Sequence, residues 1–182
     1  MINTIFLDRD GVINRKLDNN YVKNWSEFVF LDGAIEALVT LRSLCRFLII
    51  ITNQRGISRG IMTDKDLNDI HYNMTQELSS HNVKIDAIYY CPDDLGSPDR
   101  KPAPGMGYKA KADFTELDFS SSLMIGDSMS DLEFASNLGL RSVWIGSADN
   151  KKAKALSDAQ FDSLLTLSKE IEVLSAQWKI NC

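Results

Sequence analysis

Short, nearly continuous runs of β-branched and aromatic residues alternate with longer segments of helical periodicity along most of this chain. The runs with strand character are Thr4–Leu7, Phe47–Thr52, Ile85–Tyr90, Leu123–Ile125 and Ser142–Ile145. Continuous apolar runs are typical of strands that are buried on both faces, as in parallel sheets covered by helices. The alternation therefore predicts an α/β fold built on a doubly wound parallel sheet.

Apolar stripes and end signals predict helices between the runs, over Gly33–Ser43, Thr63–Ser79 and Met129–Leu138. Thr63 is a favourable N-cap, and Gly139 suits the left-handed position that ends a helix. We expect the tail after Gly146 to add a short strand near Phe161 and a last helix over Leu164–Ala176. The first two strand connections are short, which leaves no room for a large cap domain.

The length of 182 residues predicts a single domain over residues 1–182. The formal net charge of −5, without a basic block, argues against a nucleic-acid partner. Cys45, Cys91 and Cys182 show no metal-ligand spacing, which favours a reducing compartment. The acidic start is unlike a signal peptide, and the longest apolar run is far shorter than the roughly 20 residues of a membrane span. We therefore expect a cytoplasmic protein with no membrane partner.

Polar side chains follow four of the predicted strands. They are Asp8-Arg9-Asp10-Gly11, Thr52-Asn53-Gln54, Arg100-Lys101-Pro102 within the Pro/Gly-rich loop Cys91–Gly107, and Gly126-Asp127-Ser128 with Asp131 four residues on. Ligands of open α/β sheets bind at the carboxyl ends of the strands. Because four strand ends carry such residues, we expect them to converge on one site.

The residue types in this set point to phosphoryl chemistry. Asp8, Asp10 and Asp127 would form an incomplete oxygen cage, which Mg²⁺ accepts while it keeps waters and a substrate phosphate. Asp8 could then attack phosphorus, and Asp10, if protonated, could donate to the leaving alcohol and later activate water. Thr52 and Lys101 would hold the phosphoryl oxygens on which negative charge develops.

Four segments in order, DRDGVIN, TNQ, RKPAPG and GDSMSD, resemble the motifs of the haloacid dehalogenase superfamily of phosphohydrolases. The resemblance spans residues 3 to about 146. Within the superfamily, NYV at 20–22, EFVFLDG at 27–33, TNQRGISRG at 52–60 and IYYCP at 88–92 are similar to the D-glycero-D-manno-heptose-1,7-bisphosphate 7-phosphatases, which stand beside the histidinol phosphatases. The resemblance implies a three-layer, Rossmann-like fold.

The resemblance also implies roles for individual residues. Asp8 matches the nucleophile and Asp10 the general acid/base, and Mg²⁺ is held by Asp8, the backbone carbonyl of Asp10, and Asp127. Thr52 and Lys101 match positions that steady the phosphoryl group. Further matches are Arg100, at a position that recognises the sugar substrate, and Asn53, Gln54 and Tyr21, at positions that line the pocket.

The chain departs from the family in the loop after the third strand. Members commonly carry a zinc loop there, with a Cys and a His near its start and two more Cys before RKP. Here the loop reads CPDDLGSPDRKP, in which Cys91 is the only cysteine and no histidine occurs. Because a structural zinc site needs four such ligands, we expect no zinc.

Several residues have a structural alternative. Asp127 and Asp131 could simply be helix-opening acids favoured by the helix dipole, and Asp131 is assigned only a supporting role. Arg55 and Arg59 either bind a second phosphate through their guanidinium groups or are solvated surface residues. His71 and His81 are predicted to be structural.

The leading hypothesis is a monomeric, Mg²⁺-dependent hydrolase that cleaves the 7-phosphate of heptose 1,7-bisphosphate, on the way to nucleotide-activated heptose for lipopolysaccharide and other surface polysaccharides. A histidinol-phosphate phosphatase or another small sugar-phosphate phosphatase is the alternative, although RGISRG after TNQ resembles the heptose branch. A nucleic-acid 3′-phosphatase conflicts with the acidic charge. A non-catalytic binding module would be expected to lack Asp8, and a dehalogenase would not need Asp10 to protonate a halide.

Overall fold

A computed structural model describes residues 1–17, 20–147 and 149–180. Six strands form one sheet: β1 (Ile2–Leu7), β2 (Cys45–Asn53), β3 (Ala87–Cys91), β4 (Leu123–Gly126), β5 (Arg141–Ile145) and β6 (Ala159–Phe161). Their spatial order is β3-β2-β1-β4-β5-β6, and every neighbouring pair is parallel. The predicted parallel sheet is confirmed, including the short strand at Phe161.

The helices are α1 (Ala34–Leu44), α2 (Asp64–Ser80), α3 (Gly105–Asp113), α4 (Met129–Leu138), α5 (Lys151–Leu156) and α6 (Leu164–Gln177). Four of them were predicted, with ends within two residues. Thr63 caps α2 through a capping box with Asp66, and Gly139 ends α4 at φ 71°, as expected. None of the helices in the described part of the chain is long and apolar enough to cross a bilayer.

The assignment of Gly105–Gly107 to a loop was wrong, because these residues form the first turn of α3. The sequence signal is weak, since α3 has two glycines and no apolar stripe. Its position depends on packing instead. A side chain at Gly107 would collide with Leu138 of α4, so the glycine allows the two helices to lie close together. Helix α5 has only six residues and was not predicted at all.

Helices cover both faces of the sheet and give three layers. Ile5 and Leu7 of β1 belong to one core cluster, which includes residues of α1, α2 and α6. Phe6 points to the other face and packs in a cluster with residues of α3 and α4. This alternation explains why the strand sequences are continuously apolar.

Strand β1 lies at the switch point of the topology, because the chain proceeds from it to β2 and β3 on one side and to β4, β5 and β6 on the other. In such sheets the crevice outside the carboxyl ends at the switch point is the usual ligand site. Among the described residues, no large domain is inserted before β2 or before β3, where the connections contain only α1, α2 and a 3₁₀ turn at Trp25–Glu27. The crevice is therefore open to its own loops.

Candidate active site

Asp8 follows β1 directly, and the side chain of Lys101 reaches it from the loop after β3. The Lys101 Nζ lies 2.9 Å from Asp8 Oδ1 and 2.6 Å from Asp131 Oδ1. It also donates to the carbonyl oxygen of Ile51 at 2.7 Å, and only 3% of the residue is exposed. All three partners are oxygen acceptors. The buried ammonium therefore has a protein acceptor for each of its three N–H groups.

Burial raises the pKa of Asp8 to about 7, and the neighbouring carboxylates of Asp131, Asp127 and Asp10 add to this rise, although the Lys101 ammonium opposes it. Burial alone would lower the pKa of Lys101, but the carboxylates of Asp131 and Asp8 outweigh burial and raise it. The site therefore contains more negative charge than its protein cations neutralise.

The backbone of Lys101 is held at the end of β2 by the side chain of Asn53. The Lys101 N–H donates to Asn53 Oδ1 at 3.0 Å, and Asn53 Nδ2 donates back to the Lys101 carbonyl at 3.1 Å. The peptide bond between Lys101 and Pro102 is cis. The sequence prediction made Asn53 a pocket-lining residue; in the structure it lines two cavities and also positions Lys101.

The carboxylate of Asp10 accepts hydrogen bonds from three side chains. Arg9 Nη2 donates to both oxygens at 2.9 Å, Asn14 Nδ2 donates to Oδ1 at 2.9 Å, and Gln54 Nε2 donates to Oδ2 at 2.8 Å. Burial would raise the pKa of Asp10, but the guanidinium of Arg9 and the other donors outweigh it and lower the pKa. In this structure Asp10 is therefore held as a carboxylate, which is the form of a general base.

Arg9 is fully buried, and its second partner is His71 of α2, with Nη1 3.2 Å from Nε2 of the imidazole. Burial and, next, the Arg9 guanidinium lower the pKa of His71 to about 3. The ring is therefore neutral at pH 7 and accepts at Nε2, which places its proton on Nδ1. Sequence analysis missed this contact. The available signal was that His71 stands among Leu67, Ile70 and Met74 on the buried face of α2.

Asp127 follows β4, and one carboxylate oxygen each of Asp8, Asp127 and Asp131 lie within 4.8 Å of one another. Asp127 Oδ2 pairs with Lys16 Nζ at 2.7 Å. Asp127 Oδ1 is buried, and no hydrogen-bond partner for it occurs within residues 1–17, 20–147 and 149–180. A buried, unpartnered carboxylate oxygen beside a second carboxylate fits a hard divalent cation.

Two glycines allow these acids to approach. A Cβ at Gly11, where φ is 97°, would collide with the Asp127 carboxylate, and a Cβ at Gly126 would collide with Asp131. Asp131 is fully buried; its Oδ2 accepts from Ser128 N at 3.0 Å and from Ser128 Oγ at 2.6 Å, while Oδ1 pairs with Lys101. Asp131 therefore caps α4, as the structural alternative foresaw, and also pairs with Lys101.

Thr52 and Gln54 complete the set at the end of β2. Gln54 Nε2 donates to Thr52 Oγ1 at 2.8 Å as well as to Asp10. Because that bond uses an acceptor site of the hydroxyl, the proton of Thr52 stays available to donate to a ligand. Both residues are about 99% buried, so they are fixed by their surroundings and not by solvent.

Two cavities meet at these residues. The smaller, of about 220 Å³, is lined by Asp8, Asp10, Lys16, Thr52, Asn53, Arg100, Lys101, Ser128 and Ser130. The larger, of about 440 Å³, is lined by Arg9, Asp10, Lys16, Leu17, Asn20, Tyr21, Val22, Asn53, Gln54 and Arg59. Asp10, Lys16 and Asn53 line both, so the two cavities adjoin. The predicted residues Tyr21, Arg59 and Arg100 therefore do border the site.

Arg55 takes a different position from the one expected of a phosphate ligand. Its Nη2 pairs with Asp94 Oδ2 at 2.8 Å, which joins the loop after β2 to the loop after β3. In the second loop, Ser97 Oγ donates to Asp93 Oδ2 at 2.9 Å, and Arg100 Nη1 donates to the Asp93 carbonyl at 3.2 Å. Cys91 is buried beside Ser97. Polar and ionic contacts therefore hold this shortened loop.

Comparison with known proteins agrees with this geometry. A family model described as HAD-hydrolase-like matches residues 99–167. The chain is 38% identical, over 88% of its own length and 86% of the other protein, to a D-glycero-alpha-D-manno-heptose-1,7-bisphosphate 7-phosphatase of Mycobacterium tuberculosis. It is 36% identical, over 92% and 93%, to the D-glycero-beta-D-manno-heptose-1,7-bisphosphate 7-phosphatase of Escherichia coli.

A solved structure gives the same result for the fold. The D,D-heptose 1,7-bisphosphate phosphatase from B. bronchiseptica, complexed with magnesium and phosphate, superposes with a TM-score of 0.83 at 29% identity, and the match covers 94% of this chain and 99% of that one. The sequence identity, the coverage and the shared fold together establish that this chain belongs to the heptose-1,7-bisphosphate 7-phosphatase family of haloacid-dehalogenase-like hydrolases.

Proposed function

We propose that this chain is a Mg²⁺-dependent phosphoric monoester hydrolase that removes the 7-phosphate of D-glycero-D-manno-heptose 1,7-bisphosphate through an aspartyl-phosphate on Asp8. The observation that carries the proposal is the Asp8–Lys101 pair in a 220 Å³ cavity that adjoins a polar cavity of 440 Å³. The first accommodates a phosphoryl group, and the second lies within the size range of small-ligand pockets. The names of the relatives support heptose bisphosphate as the substrate.

In the first step, a carboxylate oxygen of Asp8 forms a bond to phosphorus, and the bond between phosphorus and the sugar oxygen breaks. The leaving oxygen takes a proton from the carboxyl group of Asp10. Lys101 and Thr52 donate to the phosphoryl oxygens, on which negative charge increases in the transition state. Asp131 and Asn53 position Lys101 for this purpose, by an ion pair and by two backbone hydrogen bonds.

In the second step, water attacks phosphorus, its proton passes to the Asp10 carboxylate, and the bond from phosphorus to Asp8 breaks. That proton protonates the leaving oxygen of the next substrate, so the cycle balances. The hydrogen bonds from Arg9, Asn14 and Gln54 favour the carboxylate form that the second step requires. The same hydrogen bonds make the protonated form of Asp10 less stable. The first step, which needs this form as the acid, is therefore the step that they disfavour.

Asp8, the backbone carbonyl of Asp10 and Asp127 would hold the cation. The buried Asp127 Oδ1, which has no hydrogen-bond partner in the described part of the chain, and the raised pKa of Asp8 support a cation at these residues, because both indicate uncompensated negative charge. When bound, Mg²⁺ would neutralise charge on the phosphoryl group and keep Asp8 ionised. We expect no zinc elsewhere in the chain.

The sugar and its second phosphate are assigned to the larger cavity. Tyr21 packs against Gly56, where a Cβ would be crowded by the aromatic ring, and presents a rigid wall to the sugar. Arg59 lines the same cavity and is exposed, so it can turn to a phosphate. Asn53 and Gln54 contact the substrate at the junction, and Arg100 binds it in the smaller cavity. We assign Arg55 to holding the loop through Asp94.

The whole chain, 1–182, is proposed to be one catalytic domain that acts as a monomer in the cytoplasm, in the synthesis of nucleotide-activated heptose. Cys45 and Cys91 are buried, and neither forms a disulfide within the described residues, which supports a reducing compartment.

The test is phosphate release from matched substrates, with Mg²⁺ and after its removal by chelation. The substrates are the α and β anomers of heptose 1,7-bisphosphate, histidinol phosphate and a 3′-phosphorylated oligonucleotide. We expect a Mg²⁺-dependent preference for one heptose anomer. Comparable turnover of all four would contradict the heptose assignment but not the chemistry, and absence of turnover would contradict both. The two anomers are both needed, because the M. tuberculosis and E. coli relatives are named for different ones.

A further inference from the structure

Lys16 is the second lysine of the site. It lies six residues after Asp10, in the loop that follows β1, and its Nζ is 2.7 Å from Asp127 Oδ2. Its side chain is about half exposed, with 51% of the surface accessible. It also lines both cavities, and it is the only lysine that lines the larger one among the described residues.

The two lysines of the site differ in how firmly they are held. Lys101 is buried and has three oxygen partners. Among the residues that the structure describes, Lys16 pairs with one carboxylate, and its long side chain is in contact with solvent. The Lys16 side chain is half exposed and its ammonium can return to water, while a cation that binds Asp127, whose side chain is 15% exposed, compensates the carboxylate that the ammonium leaves. If the Lys101 ammonium left, the buried carboxylates of Asp8 and Asp131 would lose their shared cation, which is strongly unfavourable.

The carboxylate of Asp127 is therefore shared between Lys16 and the cation site. The Asp127 Oδ1 is buried and has no hydrogen-bond partner among the described residues, and the Asp127 Oδ2 is paired with Lys16. A positive charge on one oxygen of a carboxylate reduces the affinity of the other oxygen for a cation, because the two positive charges repel each other. Any ammonium that must move when the cation binds lowers the apparent affinity further.

We propose that Lys16 is a tethered cation that pairs with Asp127 in the metal-free protein, weakens divalent-cation binding there, and contacts the phosphate of the ligand once the cation site is filled. The inference deepens the proposed function, on which it rests for the identity of the phosphorylated ligand. It predicts effects of opposite sign on two ligands: loss of the ammonium strengthens Mg²⁺ binding and weakens phosphate binding. A residue that only maintains the fold would weaken both.

The test uses the full chain with Lys16→Met, which keeps the length of the stem and removes the charge. Calorimetric titration of the chelated protein with Mg²⁺ measures cation affinity without substrate. Titration of the Mg²⁺-saturated protein with inorganic phosphate measures the second affinity. We expect the dissociation constant for Mg²⁺ to fall about three- to fivefold and that for phosphate to rise by a similar factor, the size expected of a half-exposed ion pair.

Lys84→Met is the matched control. Lys84 also pairs with an aspartate, Asp86, at 3.3 Å, but it lies before the amino end of β3, at the opposite edge of the sheet. Both dissociation constants should stay at their wild-type values in this variant, and Lys16→Arg, which keeps the charge, should restore both.

A Mg²⁺ affinity that is unchanged or weaker in Lys16→Met overturns the proposed competition, and an unchanged phosphate affinity overturns the proposed contact. Neither measurement depends on heptose hydrolysis. If the wild-type chain failed to hydrolyse heptose bisphosphate, the proposed function would fail while both titrations still decided the role of Lys16. Thermal unfolding of Lys16→Met verifies that the variant is folded.

Discussion

The buried imidazole of His71 makes a specific prediction about the pH dependence of stability. Burial is the main reason that its pKa falls from 6.5 to about 3 in the folded chain, and the adjacent guanidinium of Arg9 adds to the fall, while Asp10 partly opposes it. An unfolded chain exposes the same ring to water, where its pKa is ordinary. Between pH 6.5 and 3, the unfolded chain therefore binds a proton at His71 that the folded chain does not bind.

The sign follows from this difference. Since the unfolded state binds more protons, the free energy of unfolding rises with pH across this window and is lost as the pH falls below 6.5. At about 1.4 kcal/mol per pH unit for one proton, His71 costs the fold about 2 kcal/mol between pH 7 and pH 5. For a chain of this length, about 2 kcal/mol corresponds to a decrease in Tm of about 4–8 °C.

The perturbation is His71→Gln, which keeps an acceptor for Arg9 Nη1 and cannot titrate. Thermal and urea unfolding of the metal-free chain at pH 7, 6 and 5 measures the effect. We expect similar stability of the variant and the wild type at pH 7, and a smaller loss in the variant by about 2 kcal/mol at pH 5. His71→Leu removes the acceptor, so relative to His71→Gln it should lose about 1–3 kcal/mol at every pH, because a buried charged donor is left unsatisfied.

Asp8 contributes with the opposite sign, because its pKa is raised to about 7 in the fold, but this contribution is the same in wild type and His71→Gln and cancels in their difference. His81→Gln is the control: His81 lies at the exposed end of α2 and pairs with Glu77 at 3.5 Å. This variant should keep the wild-type pH dependence. Parallel stability curves for wild type and His71→Gln would refute the argument, since they would mean that His71 is accessible to protons in the folded chain.

Three further predictions concern the site. Asp8→Asn should fold with wild-type or higher Tm, because a buried acid is removed while Lys101 keeps its ion pair with Asp131. Turnover should fall by roughly a thousandfold or more, as expected for a lost nucleophile. Retained phosphate release would exclude Asp8 as the nucleophile. Gly11→Ala should destabilise the chain by about 1–3 kcal/mol, because φ is 97° and the new Cβ displaces Asp127. Calorimetry should also show weaker Mg²⁺ binding. Wild-type stability and affinity would contradict the close approach of Gly11 to the Asp127 carboxylate. Elemental analysis should find no stoichiometric zinc, since a structural site needs four ligands and the loop offers Cys91 alone; one zinc per chain would contradict this.

The sequence was sufficient to predict the sheet because both faces of its central strands are buried. Ile5 and Leu7 contact one layer of helices and Phe6 contacts the other, so the second half of β1 is a continuous apolar run. Helix α3 was not recognised, because its position depends on Gly107 fitting against Leu138, and a pattern within one segment does not contain that information.

The candidate site was predictable to the same extent. Residues at strand ends, such as Asp8, Thr52 and Asp127, converge because parallel strands end at one edge. The contacts of Lys16 and His71 were not predicted, because each depends on a side chain that reaches across the fold, over 111 and 62 residues of sequence respectively. Their residue types have common structural roles, so nothing local distinguishes them.

Asp8 and Asp10 show most clearly what sequence alone cannot predict about a site. They are the same residue type, two positions apart, Asp8 buried and Asp10 partly buried, yet the pKa of Asp8 is raised and that of Asp10 is lowered. Asp8 lies among other carboxylates, whereas Asp10 receives the guanidinium of Arg9 and two amides. Two acids whose surroundings move their pKa values apart can divide the roles of nucleophile and proton carrier. A cation at Asp8 and Asp127 would reverse the pKa shift of Asp8, while Asp10 would stay paired with Arg9. The division of roles therefore depends on which cation lies beside each carboxylate, and only the folded site determines that.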